Sequence, residues 1–201
     1  MDRQATHARR LAAFAVGARL ADVEEDARRE LKLRVLDSLG CAFGALGSPV
    51  TARIRRHVET LGGSPATSLI GGGRSAPDRA ALLNGALIRY LDFNDSYLAP
   101  GETCHPSDNV APILAAAEYA GAEGGDFLTA LAVAYEVQCR LSEVAPVRAH
   151  GFDHTTQGSF AVAAGATASN TRPVQRSNSS ACVGKPGGRG GSSTAPSSSR
   201  A

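Results

Sequence analysis

The chain has 201 residues, 43% of them hydrophobic and 20% charged, a balance that fits a soluble globular protein of one domain or two. Net charge is +2, yet residues 170–201 hold five basic and no acidic side chains, so residues 1–169 carry −3 and offer no nucleic-acid footprint. Four scattered cysteines (Cys41, Cys104, Cys139, Cys182) form no C-x-x-C pair, which argues against a zinc ribbon, a clustered iron–sulfur site or a disulfide framework. They read as buried thiols in a reducing compartment.

Residues 11–20 are the one stretch near the N-terminus that mimics a signal core, but Arg19 interrupts it, and it reads as an amphipathic helix. No run reaches the ~18 apolar residues needed to cross a bilayer, so no membrane partner is expected and the expected location is the cytoplasm. Leu20, Val23, Ala27, Leu31, Val35, Leu39 and Phe43 recur at three- and four-residue steps and predict a long helix with one apolar stripe. Asp22 is its expected N-cap, and Gly47-Ser48-Pro49 end it. Residues 50–61 predict a shorter helix whose cluster Arg53, Arg55, Arg56 and His57 reads as a solvated face.

Residues 67–70 are a short β-like stretch closed by Gly71-Gly72-Gly73, a turn that lacks the lysine and spacing of a phosphate loop. Ser75 and Asp78 have capping-box spacing, with Pro77 in the first turn of a helix to about Leu91. A polar loop follows, then a helix from about residue 107 to Tyr119, whose start Pro112 obscures. Residues 126–144 are apolar almost all round and predict a central helix. A second polar loop, 150–158, leads into a small-residue helix over 159–168. Residues 170–201 contain no Leu, Ile, Phe, Met, Tyr or Trp and are expected to be disordered. The expected organisation is thus an all-α, bundle-like unit over 1–169 and a Ser/Gly/Pro/Arg-rich tail.

The two polar loops carry the candidate chemistry. Asp92, Asn94, Asp95, Ser96, His105 and Ser107 lie in the first, and His154 and Thr155 in the second. A polar cluster between buried helices is costly unless its groups are paired or used. If the two helices that follow the loops are neighbours, His105 and His154 face one pocket. Two imidazoles with a carboxylate such as Asp92 supply an acid and a base near neutral pH. A two-His, one-carboxylate metal site is a weaker reading, because nothing in the spacing singles it out. A Cys104–His105 nucleophile pair is weaker still, since adjacent residues rarely aim at one point.

Leu83-Asn84-Gly85-Ala86, Leu91-Asp92-Phe93-Asn94-Asp95-Ser96-Tyr97-Leu98 and Cys104-His105-Pro106-Ser107-Asp108-Asn109 resemble the MmgE/PrpD family, which includes 2-methylcitrate dehydratases and cis-aconitate decarboxylases. Leu36-Asp37-Ser38-Leu39-Gly40-Cys41 fits that family's first long helix, and His150-Gly151-Phe152-Asp153-His154-Thr155-Thr156 with Gly158 fits its second histidine loop. The resemblance spans about residues 10–168. It implies a large helical domain plus a smaller α/β domain with the active site between them, usually in a homodimer. It implies a carbon–oxygen lyase acting without a cofactor or metal on a small tricarboxylic acid, with a place in propionate catabolism. Carried over by motif, Asp92, His105 and His154 are the expected catalytic residues. Asn94, Asp95, Ser96, Ser107 and Thr155 are the expected substrate-binding ones. Ser96 stands where the family often has Thr, and Thr155 where the family usually shows Pro. The long loop between Ser96 and His105 resembles the methylcitrate dehydratases more than the decarboxylases.

Family members are more than twice this long, and their later parts supply lysines that bind carboxylates; here the only lysines are Lys32 and Lys185. The resemblance is expected to stop near Ala168, as a reading-frame shift would produce, leaving the chain truncated and impaired. Translation of the downstream DNA in the other frames checks that expectation. A non-catalytic helical fragment, or an interaction module, remains the alternative.

Overall fold

The computed structural model describes residues 6–169, and the expectation made for 170–201 lies outside the described residues. Among those described, the helices are α1 (His7–Gly17), α2 (Glu25–Gly44), α3 (Pro49–Leu61), α4 (Pro77–Arg89), α5 (Val110–Ala120), α6 (Gly124–Val144) and α7 (Thr155–Ser169). Two small antiparallel hairpins interrupt them: β1 (Thr67–Ser68) with β2 (Arg74–Ser75), and β3 (Tyr97–Ala99) with β4 (Glu102–Cys104). The helical class is the one the periodicities predict. No single helix among the described residues is long and apolar enough to cross a membrane.

α6 is the central element. It packs along α7 and also against α2, α5 and the β3–β4 hairpin, burying Ala130, Leu131, Val133, Ala134 and Val137. Small residues set how closely its neighbours approach. A Cβ on Gly165 of α7 would lie 2.5 Å from Ile113 Cδ1 and 2.8 Å from the Ala130 carbonyl oxygen, so glycine is what lets α7 seat against α5 and α6. Leu83, Leu87 and Ile88 of α4 and Val110 and Ile113 of α5 complete the core.

Several elements depart from the sequence expectation for identifiable reasons. The α2 stripe does not hold one face: Leu31, Cys41 and Ala42 are buried, whereas Phe43 is 60% exposed. Each four-residue step overshoots a full turn by about 40°, so three such steps from Leu31 carry Phe43 roughly 120° away. Asp22 does not cap α2; it closes a 3-10 turn, Leu20–Asp22, and Glu24 takes the cap position. The Ser75–Asp78 capping box does not form either, because Ser75 is spent in β2 and Ala76 precedes Pro77. Pro112 is absorbed as the third residue of α5, in the first turn where no intrahelical N–H is lost.

Two differences bear on the site. The first polar loop contains the β3–β4 hairpin, turned at Pro100-Gly101 with Gly101 at φ +78°. A Pro-Gly pair between Tyr97 and Thr103 was the signal for it. α7 begins at Thr155 rather than Ser159, so His154 stands immediately before its first residue.

Candidate active site

The two polar loops meet. The His105 and His154 rings have centroids 5.4 Å apart and cross edge to face at 73°. They are brought together by a carboxylate of the first loop. The Glu102 side chain is 0% exposed and accepts from the backbone N–H groups of Val147 (2.9 Å) and Arg148 (3.2 Å), while Arg148 Nε lies 2.9 Å from its other oxygen. Burial pushes the Glu102 carboxyl upward, but amide donation from Arg148, Thr103 and Val147, with Gln157, outweighs it and holds the group below its ordinary value. β4 thus pins the backbone of the second loop a few residues before His154.

The first loop is braced from beneath. Asp95 accepts from the Ser107 N–H (3.0 Å) and from the Tyr135 hydroxyl of α6 (3.0 Å). Burial, then the charge of Asp95, holds the Tyr135 phenol well above its usual range. The Asp95 carbonyl oxygen lies 2.8 Å from His105 Nδ1, and Ser96 Oγ lies 3.3 Å from the same nitrogen. Asn109 donates to Gln138 of α6, which fixes the start of α5 below the rings. Tyr97 donates to Glu143, and this bond pushes the phenol up to about 12.

Asp92 does not stand beside the imidazoles. Its side chain is 75% exposed, it adopts φ +57°, and its Oδ1 pairs with Arg89 Nη1 at 2.8 Å. Two other carboxylates reach His154: Asp108 Oδ2 is 3.6 Å from Nε2, with its Oδ1 3.8 Å from Arg89 Nε, and Asp153 Oδ1 is 3.2 Å from Nδ1. Burial raises the Asp108 carboxyl, and Arg89, His105 and His154 pull it back. Asp92 is joined to this cluster only through Arg89, which also donates to Asn94 Oδ1 (3.4 Å). Asp108, Asp153 and Glu102 are carboxylates to which sequence reasoning gave no role.

Ser107 is buried, and its Oγ has no hydrogen-bond partner. Thr155 is exposed, and its N–H donates to Asp153 Oδ1 (3.0 Å), an arrangement that holds the Asp153 carboxyl below its usual value. Cys104 and His105 diverge: Cys104 is buried against α6, where hydrogen bonding with Cys139, opposed by burial and helped by Ser142, lowers its thiol to about 7. No group of three or more His, Cys, Asp or Glu side chains among the described residues is arranged to hold a metal ion. Two cavities, of about 820 and 670 Å³, lie along α1 and α6 and are not lined by either imidazole.

A mainly helical unit with two histidines brought together on buttressed loops defines the class. The chain belongs to the MmgE/PrpD family: the family's N-terminal domain (MmgE/PrpD N-terminal domain) matches residues 9–181. The match runs past Ala168, so the change in composition near Ser169 is not the edge of the family pattern. The chain is 35% identical over 137 residues to a 2-methylcitrate dehydratase of Escherichia coli K12, covering 60% of this chain and 27% of that protein. It is 39% identical over 92 residues to a 2-methylcitrate dehydratase of Cupriavidus necator (42% of this chain, 18% of that protein). It is also 32% identical over 120 residues to a cis-aconitate decarboxylase of Mus musculus (56% and 24%). The aligned part thus spans between about a fifth and a quarter of these relatives.

Proposed function

We propose that this chain is a hydro-lyase domain like that of 2-methylcitrate dehydratase, acting on a small tricarboxylic acid by acid–base elimination at His105 and His154. The reading is carried by the 5.4 Å approach of two imidazoles from loops nearly fifty residues apart. Membership of a family whose relatives include dehydratases supports it. Removing a carbon-bound proton and protonating a leaving hydroxyl needs two proton-transfer groups within reach of one small molecule. The reaction requires no cofactor in this reading, and the protein works in the cytoplasm, within propionate catabolism, as part of a homodimer.

In the same reading the 201-residue chain is impaired. A tricarboxylate needs several cationic partners. Arg89, which meets the rings' neighbour Asp108, is engaged by Asp92 and Asp108, and Arg148 by Glu102. Incubation of the chain with 2-methylcitrate, followed by ultraviolet absorbance of the conjugated double bond, tests the activity. His105→Gln and His154→Gln should each cost on the order of 10²–10⁴-fold in rate. Turnover that survives both substitutions would reject the assignment, and carbon dioxide release from cis-aconitate would favour the decarboxylase branch instead.

A second reading is a non-catalytic helical or interaction module, favoured by Leu36, Phe43, Tyr119 and Val144, large apolar side chains each more than half exposed. Concentration-dependent association without turnover on any tricarboxylate distinguishes it.

A further inference from the structure

We propose that the imidazole pair is divided in role: His105 accepts a proton at Nε2, and His154 donates one, with Asp108 as the positioning residue that holds His154 as the donor. The inference deepens the elimination reading above and rests on it.

The argument starts from what each ring nitrogen faces. His105 Nδ1 lies 2.8 Å from the Asp95 carbonyl oxygen, a group that can only accept. The ring therefore donates from Nδ1, and Nε2 keeps its lone pair for a substrate proton. Ser96 Oγ at 3.3 Å is a second partner for the same N–H.

His154 has the opposite surroundings. Nε2 faces Asp108 Oδ2 at 3.6 Å, and Nδ1 lies 3.2 Å from Asp153 Oδ1, within charge-pairing distance but out of line for a hydrogen bond. Ionised carboxylates only accept, so a ring with a proton on each nitrogen is the form this setting complements. Its side chain is only 12% exposed, which limits screening by water. The charged or titratable groups named around His154 are Asp108, Asp153 and His105, with Arg89 acting on Asp108 and Arg148 on Asp153. Of the two carboxylates, Asp108 is the better placed, being half as exposed as Asp153 and steadied on its other oxygen by Arg89. Arg89 is in turn steadied by Asp92 and Asn94, which gives those two a role through Arg89 and Asp108.

The elimination balances on these two groups. His105 Nε2 takes the carbon-bound proton, and that bond's electron pair becomes the new carbon–carbon π bond. The carbon–oxygen bond breaks, and the leaving hydroxyl takes its proton from His154 and departs as water. His105 is left as the cation and His154 neutral, and exchange with solvent resets both.

Long-range proton–nitrogen correlation of the imidazole rings in the ¹⁵N-labelled chain tests the assignment without requiring turnover. Neutral His105 should appear as the Nδ1–H tautomer. Asp108→Asn should shift the His154 ring nitrogens and leave those of His105 in place, Asp108→Glu should restore them, and Asp153→Asn should move them less. A His105 ring protonated at Nε2 overturns the proposal, as does a larger effect from Asp153→Asn. Circular dichroism reports whether Asp108→Asn folds. If it does not, the Asp108 carboxyl carbon of the wild-type chain is followed instead. That signal should show an inflection where His154 titrates, and a trace without one overturns the proposal. Expected ring spectra with no turnover of 2-methylcitrate count against the functional reading alone.

Discussion

The loop that carries His105 and the loop that carries His154 reach the same point by different means. The first is a hairpin with its own register, tied beneath by Asp95 to both Ser107 and Tyr135 and by Asn109 to α6. The second contains a 3-10 turn, Arg148–His150, in which no residue is buried. Its backbone is held largely by Glu102, a side chain borrowed from the first loop. One loop is positioned by the core, and the other is positioned by its neighbour. Damage to the first should therefore displace both rings, whereas damage to the second should displace one.

The largest effect is expected from Glu102→Ala, which leaves the part-buried N–H groups of Val147 and Arg148, and the Arg148 guanidinium, without their buried acceptor. A loss of about 3 kcal/mol in urea unfolding is expected, with faster amide exchange at Val147 and Arg148. Unchanged exchange there would break the claim that Glu102 ties the loops together. Glu102 also gives the comparison a pH signature. Its folded-state value is depressed, so its contribution is present above the ordinary value of 4.5 and is lost as pH falls through the folded value. Asp108 acts in the opposite sense, since its raised value favours folding as pH falls. Acid titration of stability should thus be flatter in Glu102→Gln and steeper in Asp108→Asn.

Next in size is Gly165→Ala, which drives a Cβ against the Ala130 carbonyl and unseats the helix that follows His154; about 2 kcal/mol of destabilisation is expected by thermal or urea unfolding. Tyr135→Phe removes one bond to Asp95 and should cost about 1 kcal/mol by the same measurement. Because the first loop also supports the second, the Tyr135→Phe variant should perturb the ring signals of both histidines. Asp92→Asn should be the smallest, within about 0.5 kcal/mol, because its ion pair with Arg89 is largely exposed. A large loss of stability there would mean that Arg89 depends on Asp92 more than the exposure implies.

Much of this was legible in the chain. The helical periodicity, the turn at Gly71-Gly72-Gly73, the central character of α6 and the placing of His105 and His154 on loops that open into helices follow from local residue order. Local order carries such features because hydrogen bonding within a helix and the φ demands of a turn are settled among near neighbours. The partner carboxylate was not legible. Asp92, next to an apolar run, looked like the acid for the histidines, but its side chain turns to Arg89, and Asp108, three residues after His105, takes that place. Glu102 gave no sign either, since a glutamate beside a Pro-Gly turn normally faces water. Which carboxylate is buried, and against which backbone, depends on the docking of α5, α6 and α7. The close approach permitted at Gly165 helps to set that docking, and the spacing along one segment does not contain it.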